Sequence, residues 1–169
     1  MILDLFLDGL YSAIAAIGFG AISHPPLRAF KGIAILAAVA HTVRFAAVHY
    51  FDIDIATASF LGAFACGFLS LLIGKWVRCP LTVLYIPALL PLIPGKFAYK
   101  TIFALIMFLQ QDNTVTQSFY MKEFFYNGVL TATVIFLLAF GATFPRFIFP
   151  TISNSVTRNK QYRNQPQDR

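Results

Sequence analysis

The sequence predicts an all-α integral membrane protein of about five transmembrane helices, one of them broken at the proline-rich stretch 87–95. Three observations predict it. Hydrophobic residues make up 58% of the 169 and charged residues only 12%, with 19 phenylalanines and a mean hydropathy of +0.70, more apolar surface than a soluble domain of this size can hide. Apolar runs of the ~20 residues that cross a ~30 Å hydrocarbon core recur at 5–23, 32–51, 55–74, 81–111 and 124–144. Charges gather in the breaks between them, as they must when a charged side chain at the bilayer centre costs about 2.5–3.5 kcal/mol. A short apolar run can also be a buried helix of a soluble protein, but five in succession leave no amphipathic helices to surround them.

The first run opens Met-Ile-Leu-Asp-Leu-Phe-Leu-Asp, with acid where a signal peptide carries its basic region, so this segment is expected to stay in the mature protein. It ends at His24-Pro25-Pro26, and the second run ends at Asp52-Ile53-Asp54. In the third, Ala58, Gly62 and Cys66 recur every four residues with Ala63 and Gly67 alongside. Small residues at that spacing let another helix approach closely, so this span packs against protein.

Residues 81–111 allow one net crossing, yet about 30 residues of straight helix would run ~45 Å, so the segment must be broken. Pro87, Pro91 and Pro94 each remove a backbone donor and disfavour helix in the residue before them, and Gly95 permits turns closed to other residues. Stretch 81–94 is then either a half-helix on the crossing path or a re-entrant loop returning to its own side. Exposed carbonyls at membrane depth survive only against protein or a watery cavity, and such breaks are how transporters build binding sites. A plain proline kink is the simpler alternative. Residues 1–150 thus form the transmembrane helical domain, and the polar, basic stretch 151–169 has too little apolar surface to fold and is expected to be a mobile cytoplasmic tail.

Lys and Arg near span ends are retained on the cytoplasmic side. Arg28 and Lys31 follow the first span, Lys75 and Arg78 the third, and Arg146, Arg158, Lys160, Arg163 and Arg169 the last. These nine of thirteen basic residues share one side only if the chain starts outside, crosses an odd number of times and ends inside. Asp4, Asp8, Asp52, Asp54, Asp112 and Glu123, six of the seven acids, then fall at the opposite face. The net charge of +6 is therefore a topology signal. The basic residues are not interleaved on one surface, and no nucleic-acid partner is expected. Trp76, Tyr50, Tyr120 and Tyr126 suit the interfacial aromatic belt, and His24 and His49 lie at span ends. Cys66 and Cys79 form no CxxC and no metal-ligand spacing, so they are expected to be inert packing residues.

Arg44, Lys96 and Lys100 depart from the peripheral charge pattern. His41 precedes Arg44 by three residues, so both project from one helical face. Arg offers a planar fork suited to a carboxylate and His changes charge near neutral pH, so together they can hold an anionic group and couple its movement to a proton. The blander alternatives are an Arg44 that snorkels to the interface and a His41 that only packs. Lys96 and Lys100 either line the same cavity or sit at the cytoplasmic interface, where a re-entrant loop would deliver them. Asp8, a turn inside the first span, is a candidate proton carrier or an outer-edge carboxylate in water. No Ser/His/Asp constellation, paired acids or HExxH motif is present, so no catalytic residue, cofactor or metal is expected and the chain is not read as an enzyme.

Gly18-Phe19 closing the first span, Pro26-x-Arg28 in the basic loop, His41-x-x-Arg44, and Pro91-x-x-Pro94-Gly95 followed by Ala98-Tyr99 stand in an order and spacing that resemble the bacterial threonine/serine exporter family of the ThrE type. Within it the match is to the short, YjjB-like subunit, equivalent to the C-terminal half of the fused exporters. The resemblance runs from about Asp8 through Tyr99 and more loosely through the last span. It implies a secondary exporter of the bacterial inner membrane that moves threonine, serine or a dicarboxylate such as succinate outward. Proton coupling and a larger YjjP-like partner subunit come with it, and the small bundle leaves room for a higher oligomer. Carried over by position, it singles out Asp8, His41, Arg44, Pro91, Pro94, Gly95 and Tyr99. Arg44 and Tyr99, with Lys96 and Lys100, are the substrate-binding candidates, and His41 and Asp8 those for proton coupling. The two lysines depart from the family, where uncharged residues are expected, and would favour a dianion over a zwitterion. A scaffold subunit whose partner binds the substrate, and a passive channel, are the rival readings.

Overall fold

The computed structural model describes residues 2–149, so the expected tail at 151–169 lies outside the described residues. These fold as six α-helices and one 3-10 turn, without strands among them: α1 (Ile2–Ile22), α2 (Leu27–Tyr50), α3 (Ile55–Val77), α4 (Leu81–Leu89), the turn Leu90–Leu92, α5 (Gly95–Gln110) and α6 (Thr114–Ile148). Four helices are long and apolar enough to cross a membrane, and the segments Leu81–Leu92 and Gly95–Gln110, bent by 56°, are together long and apolar enough for a fifth, as a broken span or a re-entrant loop.

Apolar content places the helices; capping and backbone continuity set where they end. Pro26, in extended geometry at φ −60° and ψ 141°, starts α2 at Leu27, so Arg28 and Lys31 lie in its first turns and not in a loop. A helix needs only its backbone ladder to extend past an apolar run. The same reason carries α6 over 35 residues, through the polar stretch before Phe124 and past Phe144. Asp54 caps α3, accepting from the Thr57 backbone N–H at 2.9 Å and hydroxyl at 2.7 Å. The Thr57 hydroxyl first, then its N–H, hold this carboxyl below the usual carboxylate range, so the cap is ionised at neutral pH. The connections after α1, α2 and α3 each turn on one left-handed residue, His24, Asp52 and Arg78.

Helices α1, α2 and α3 form an antiparallel sheaf, and α4 slots between them from the end where α3 finishes. Leu81 lies against Gly74, Leu84 against Gly32, Pro87 against Gly20 and Leu92 against Gly62, so α4 penetrates well into the bundle. The buried core of Ile33, Leu36, Leu84 and Leu92 is built along this insertion. The ring pairs Phe60–Phe140, Phe64–Phe144 and Phe68–Phe149 advance in step, so α6 runs parallel to α3. Helices α5 and α6 form an antiparallel hairpin with Thr101 against Gly128. It follows that α5 continues in the sense of α4: the path is a half-helix and an onward limb, not a loop returning to its own side.

The small residues of α3 serve two neighbours. Gly62 meets the Ala40 carbonyl of α2, where a Cβ would stand 2.6 Å from the oxygen, and Gly67 meets the Ala142 backbone of α6 more closely still. A methyl at Gly67 would strike backbone that cannot rotate away. Gly67→Ala is therefore expected to cost on the order of 2 kcal/mol through overpacking, read as a fall in the thermal midpoint of the detergent-solubilised protein. Gly18→Ala, where nothing lies within 4 Å, is the control and should not lower it. Equal midpoints for the two variants would refute the close α3–α6 contact.

Both cysteines are free and buried. Burial pushes the Cys79 thiol up, against the opposing influence of Arg28, so it stays protonated and inert.

Candidate functional site

Antiparallel packing of α1 on α2 brings Asp8 to His41 across 33 residues of sequence. His41 Nδ1 and Asp8 Oδ2 are 3.0 Å apart, with the imidazole buried and the carboxylate 33% exposed. Gly9 makes the approach possible, since a Cβ there would stand 3.0 Å from the Thr42 hydroxyl. One turn further on, the Ser12 hydroxyl bonds the Gly9 carbonyl at 2.9 Å and the Ala37 carbonyl at 3.2 Å, fixing the pairing of the two helices.

Arg44 stands a turn beyond His41 and reaches to the break. Its Nη1 donates to the Leu92 carbonyl at 2.8 Å, and its Nη2 lies 3.4 Å from His41 Nδ1 and 3.5 Å from Nε2. A nitrogen nearly equidistant from both ring nitrogens at that range stands over the imidazole face, because an in-plane position would collide with the ring carbons. The guanidinium thus sets one nitrogen over His41 and is hydrogen-bonded to the backbone at the break, and Asp8 lies within its electrostatic reach. The Pro91 backbone faces His41 as well.

The break itself is narrower than the proline pattern predicts. Pro87 lies inside α4, which runs on to Leu89; the chain tightens to a 3-10 turn over Leu90–Leu92 and leaves helical geometry at Ile93 and Pro94. Pro94, at φ −79° and ψ 69°, caps α5. Gly95 is its first residue, has no positive φ and faces open space, so the turn freedom expected of it is not used. Pro91 and Pro94 shape the break, and the carbonyl that Arg44 takes is one that an uninterrupted helix would bond internally.

Asp8, His41, Arg44 and the backbone of Pro91 and Leu92 therefore form one cluster. Lys96, Tyr99 and Lys100 do not join it: all three are exposed on the first turns of α5, with Tyr99 stacked on Phe103. Because α5 runs onward, the two lysines lie beyond the break and away from the Lys75–Arg78 end, not at the interface to which a re-entrant loop would carry them. Tracing the helices by their contacts also separates the charges. Arg28 donates to the Arg78 carbonyl at 3.3 Å at one end of the bundle, while Asp4 lies within reach of His49 at the other. His49 is exposed and stacks on Phe45. The Leu92 carbonyl has no side-chain signature, and its only sequence signal was its place between two prolines.

A multi-pass helical membrane protein with a broken span whose backbone is held by a cluster of charged side chains has a construction found in membrane transporters. The family model described as "Threonine/Serine exporter, ThrE" matches residues 8–148. The chain belongs to the threonine/serine exporter family. An uncharacterized protein of Haemophilus influenzae is 29% identical over 147 residues, covering 87% of this chain and 48% of the relative, so the chain spans about half the length of that curated relative. No solved structure matches it.

Proposed function

We propose that this chain is the small subunit of a proton-coupled secondary exporter that moves small carboxylate-bearing metabolites, threonine and serine or a dicarboxylate such as succinate, out across the bacterial inner membrane. Its N-terminus lies outside and its C-terminus in the cytoplasm, the orientation that puts the Arg28–Arg78 end inside. The observation that carries the reading is Arg44, a fork-shaped cation at membrane depth held by the Leu92 carbonyl and the face of His41.

A substrate carboxylate taking the guanidinium fork side-on gains two charge-assisted bonds where the Leu92 carbonyl gave one. The exchange frees that carbonyl at the end of the α4 half-helix, where the helix dipole is negative, and leaves Asp8 close by. Both suit the ammonium of an amino acid. Lys96 and Lys100 argue for the dianion instead, if a neighbouring subunit closes the pathway over the exposed start of α5. Tyr99, on the same turns, would line that part of the pathway.

A cluster that is only partly enclosed supports a larger partner that covers it. In the rival scaffold reading, the partner alone binds substrate. Counterflow of labelled threonine, serine and succinate in proteoliposomes tests the proposal, with this chain and its larger subunit together and each alone. Saturable counterflow that requires both is expected, and the preferred label names the substrate class. Full counterflow by the partner alone would leave this chain a scaffold, and flux without counterflow would make the assembly a channel.

A further inference from the structure

An apolar groove of about 310 Å³ runs between α4 with its 3-10 turn and the second half of α6. Leu89 and Ile93 form one wall, and Ile135 and Ala139 the other. Tyr85 and Thr143 close one end. Thr143 spends its hydroxyl on the Ala139 and Phe140 carbonyls of its own helix. The Tyr85 hydroxyl makes no hydrogen bond within the described residues, so it is the polar atom the groove leaves unspent. Arg146, exposed and one turn beyond Thr143, stands within electrostatic reach of it.

We propose that this groove is a lipid site, holding one acyl chain of an anionic phospholipid with its headgroup at Arg146 and Tyr85. Size and shape fit a chain. From Thr143 to Ile135 is about 12 Å of helix, and the volume takes about ten groups the size of a methylene, each close to the ~30 Å³ share of a water. An apolar lining of this kind does not hold water. A cation and a free hydroxyl at one end, with hydrocarbon beyond, match a phosphodiester followed by its tail, and basic pockets between transmembrane helices select anionic headgroups. The far end of the chain would lie against Leu90 and Ile93, at the break itself. An occupied groove would buttress the half-helix whose carbonyl Arg44 holds. The proposal does not rest on the transport reading.

The test is native mass spectrometry of the delipidated full chain in detergent, titrated with phosphatidylglycerol and with phosphatidylcholine of the same acyl composition. One phosphatidylglycerol should bind, preferred about fivefold, the share of one basic residue at an anionic headgroup. Arg146→Gln should erase the preference while binding persists. Ala139→Trp, which fills the groove from an exposed position, should lose both lipids with an unchanged thermal midpoint. Equal binding of the two lipids by the native chain would overturn the proposal, and so would undiminished binding by Ala139→Trp. Cross-linking of Ala139→Cys in membranes to a helix of a partner subunit would overturn it as well, giving the groove to protein.

Discussion

Replacing Arg44 with glutamine should lower counterflow at sub-saturating substrate by on the order of 100-fold, the effect of losing a partly buried charge-assisted pair worth about 2–3 kcal/mol. Glutamine removes the charge and, two bonds shorter, also gives up the hold on the Leu92 carbonyl, 2.8 Å from Nη1 in the native site. Arg44→Lys separates charge from geometry. It keeps the cation but loses the planar fork, so it should recover part of the rate and leave a deficit of roughly tenfold. Thermal midpoints of both variants must match the native protein, since Arg44 also bridges α2 to the break. Counterflow within threefold of native in well-folded Arg44→Gln would move the substrate to the partner subunit. If glutamine and lysine fail equally, the anchor of the broken span is what matters and the carboxylate reading fails.

Why Arg44 stood out in the sequence and its partner did not is a matter of what side chains can signal. An arginine inside an apolar run costs insertion energy and so marks itself. The Leu92 carbonyl, 48 residues away, is chemically the same as every other carbonyl, and only the broken helix makes it available. The prolines located that break to within a turn, yet Pro87 misled. In the last turn of the nine-residue α4, Pro87 forfeits one internal bond without stopping the helix, which ends two residues later, and its ring packs against Gly20. Spans were legible because lipid imposes a length and a composition. Their ends were not: α2 and α6 continue through polar residues that hydropathy assigns to loops. The pairing of Asp8 with His41 required knowing which turn of α1 faces which turn of α2, and that is set by Gly9 and Ser12, residues without charge. The position of Lys96, Tyr99 and Lys100 depends on the direction of α5, which the residues left open between two paths.

The pH dependence of substrate affinity should reverse in sign between the two substrate classes, because the Asp8–His41 pair would meet them differently. The two groups are 3.0 Å apart, so a proton bound by either makes the cluster more positive by one charge. An amino acid whose carboxylate lies on Arg44 places its ammonium toward Asp8, so that proton competes with it. The apparent affinity for threonine or serine then weakens as pH falls, by up to about tenfold per pH unit for a one-proton competition. Such competition is what exchange of an inbound proton for an outbound substrate requires. A dicarboxylate has no ammonium to displace, and the added positive charge strengthens its binding as pH falls. Over the range in which histidine changes charge, about pH 5 to 8, the sign of the slope identifies the substrate class independently of which label gives the faster flux. Asp8→Asn should flatten the slope in either case, and should abolish accumulation driven by a proton gradient while leaving counterflow at fixed pH. A slope unchanged in Asp8→Asn would remove the pair from proton coupling, whatever the substrate proves to be.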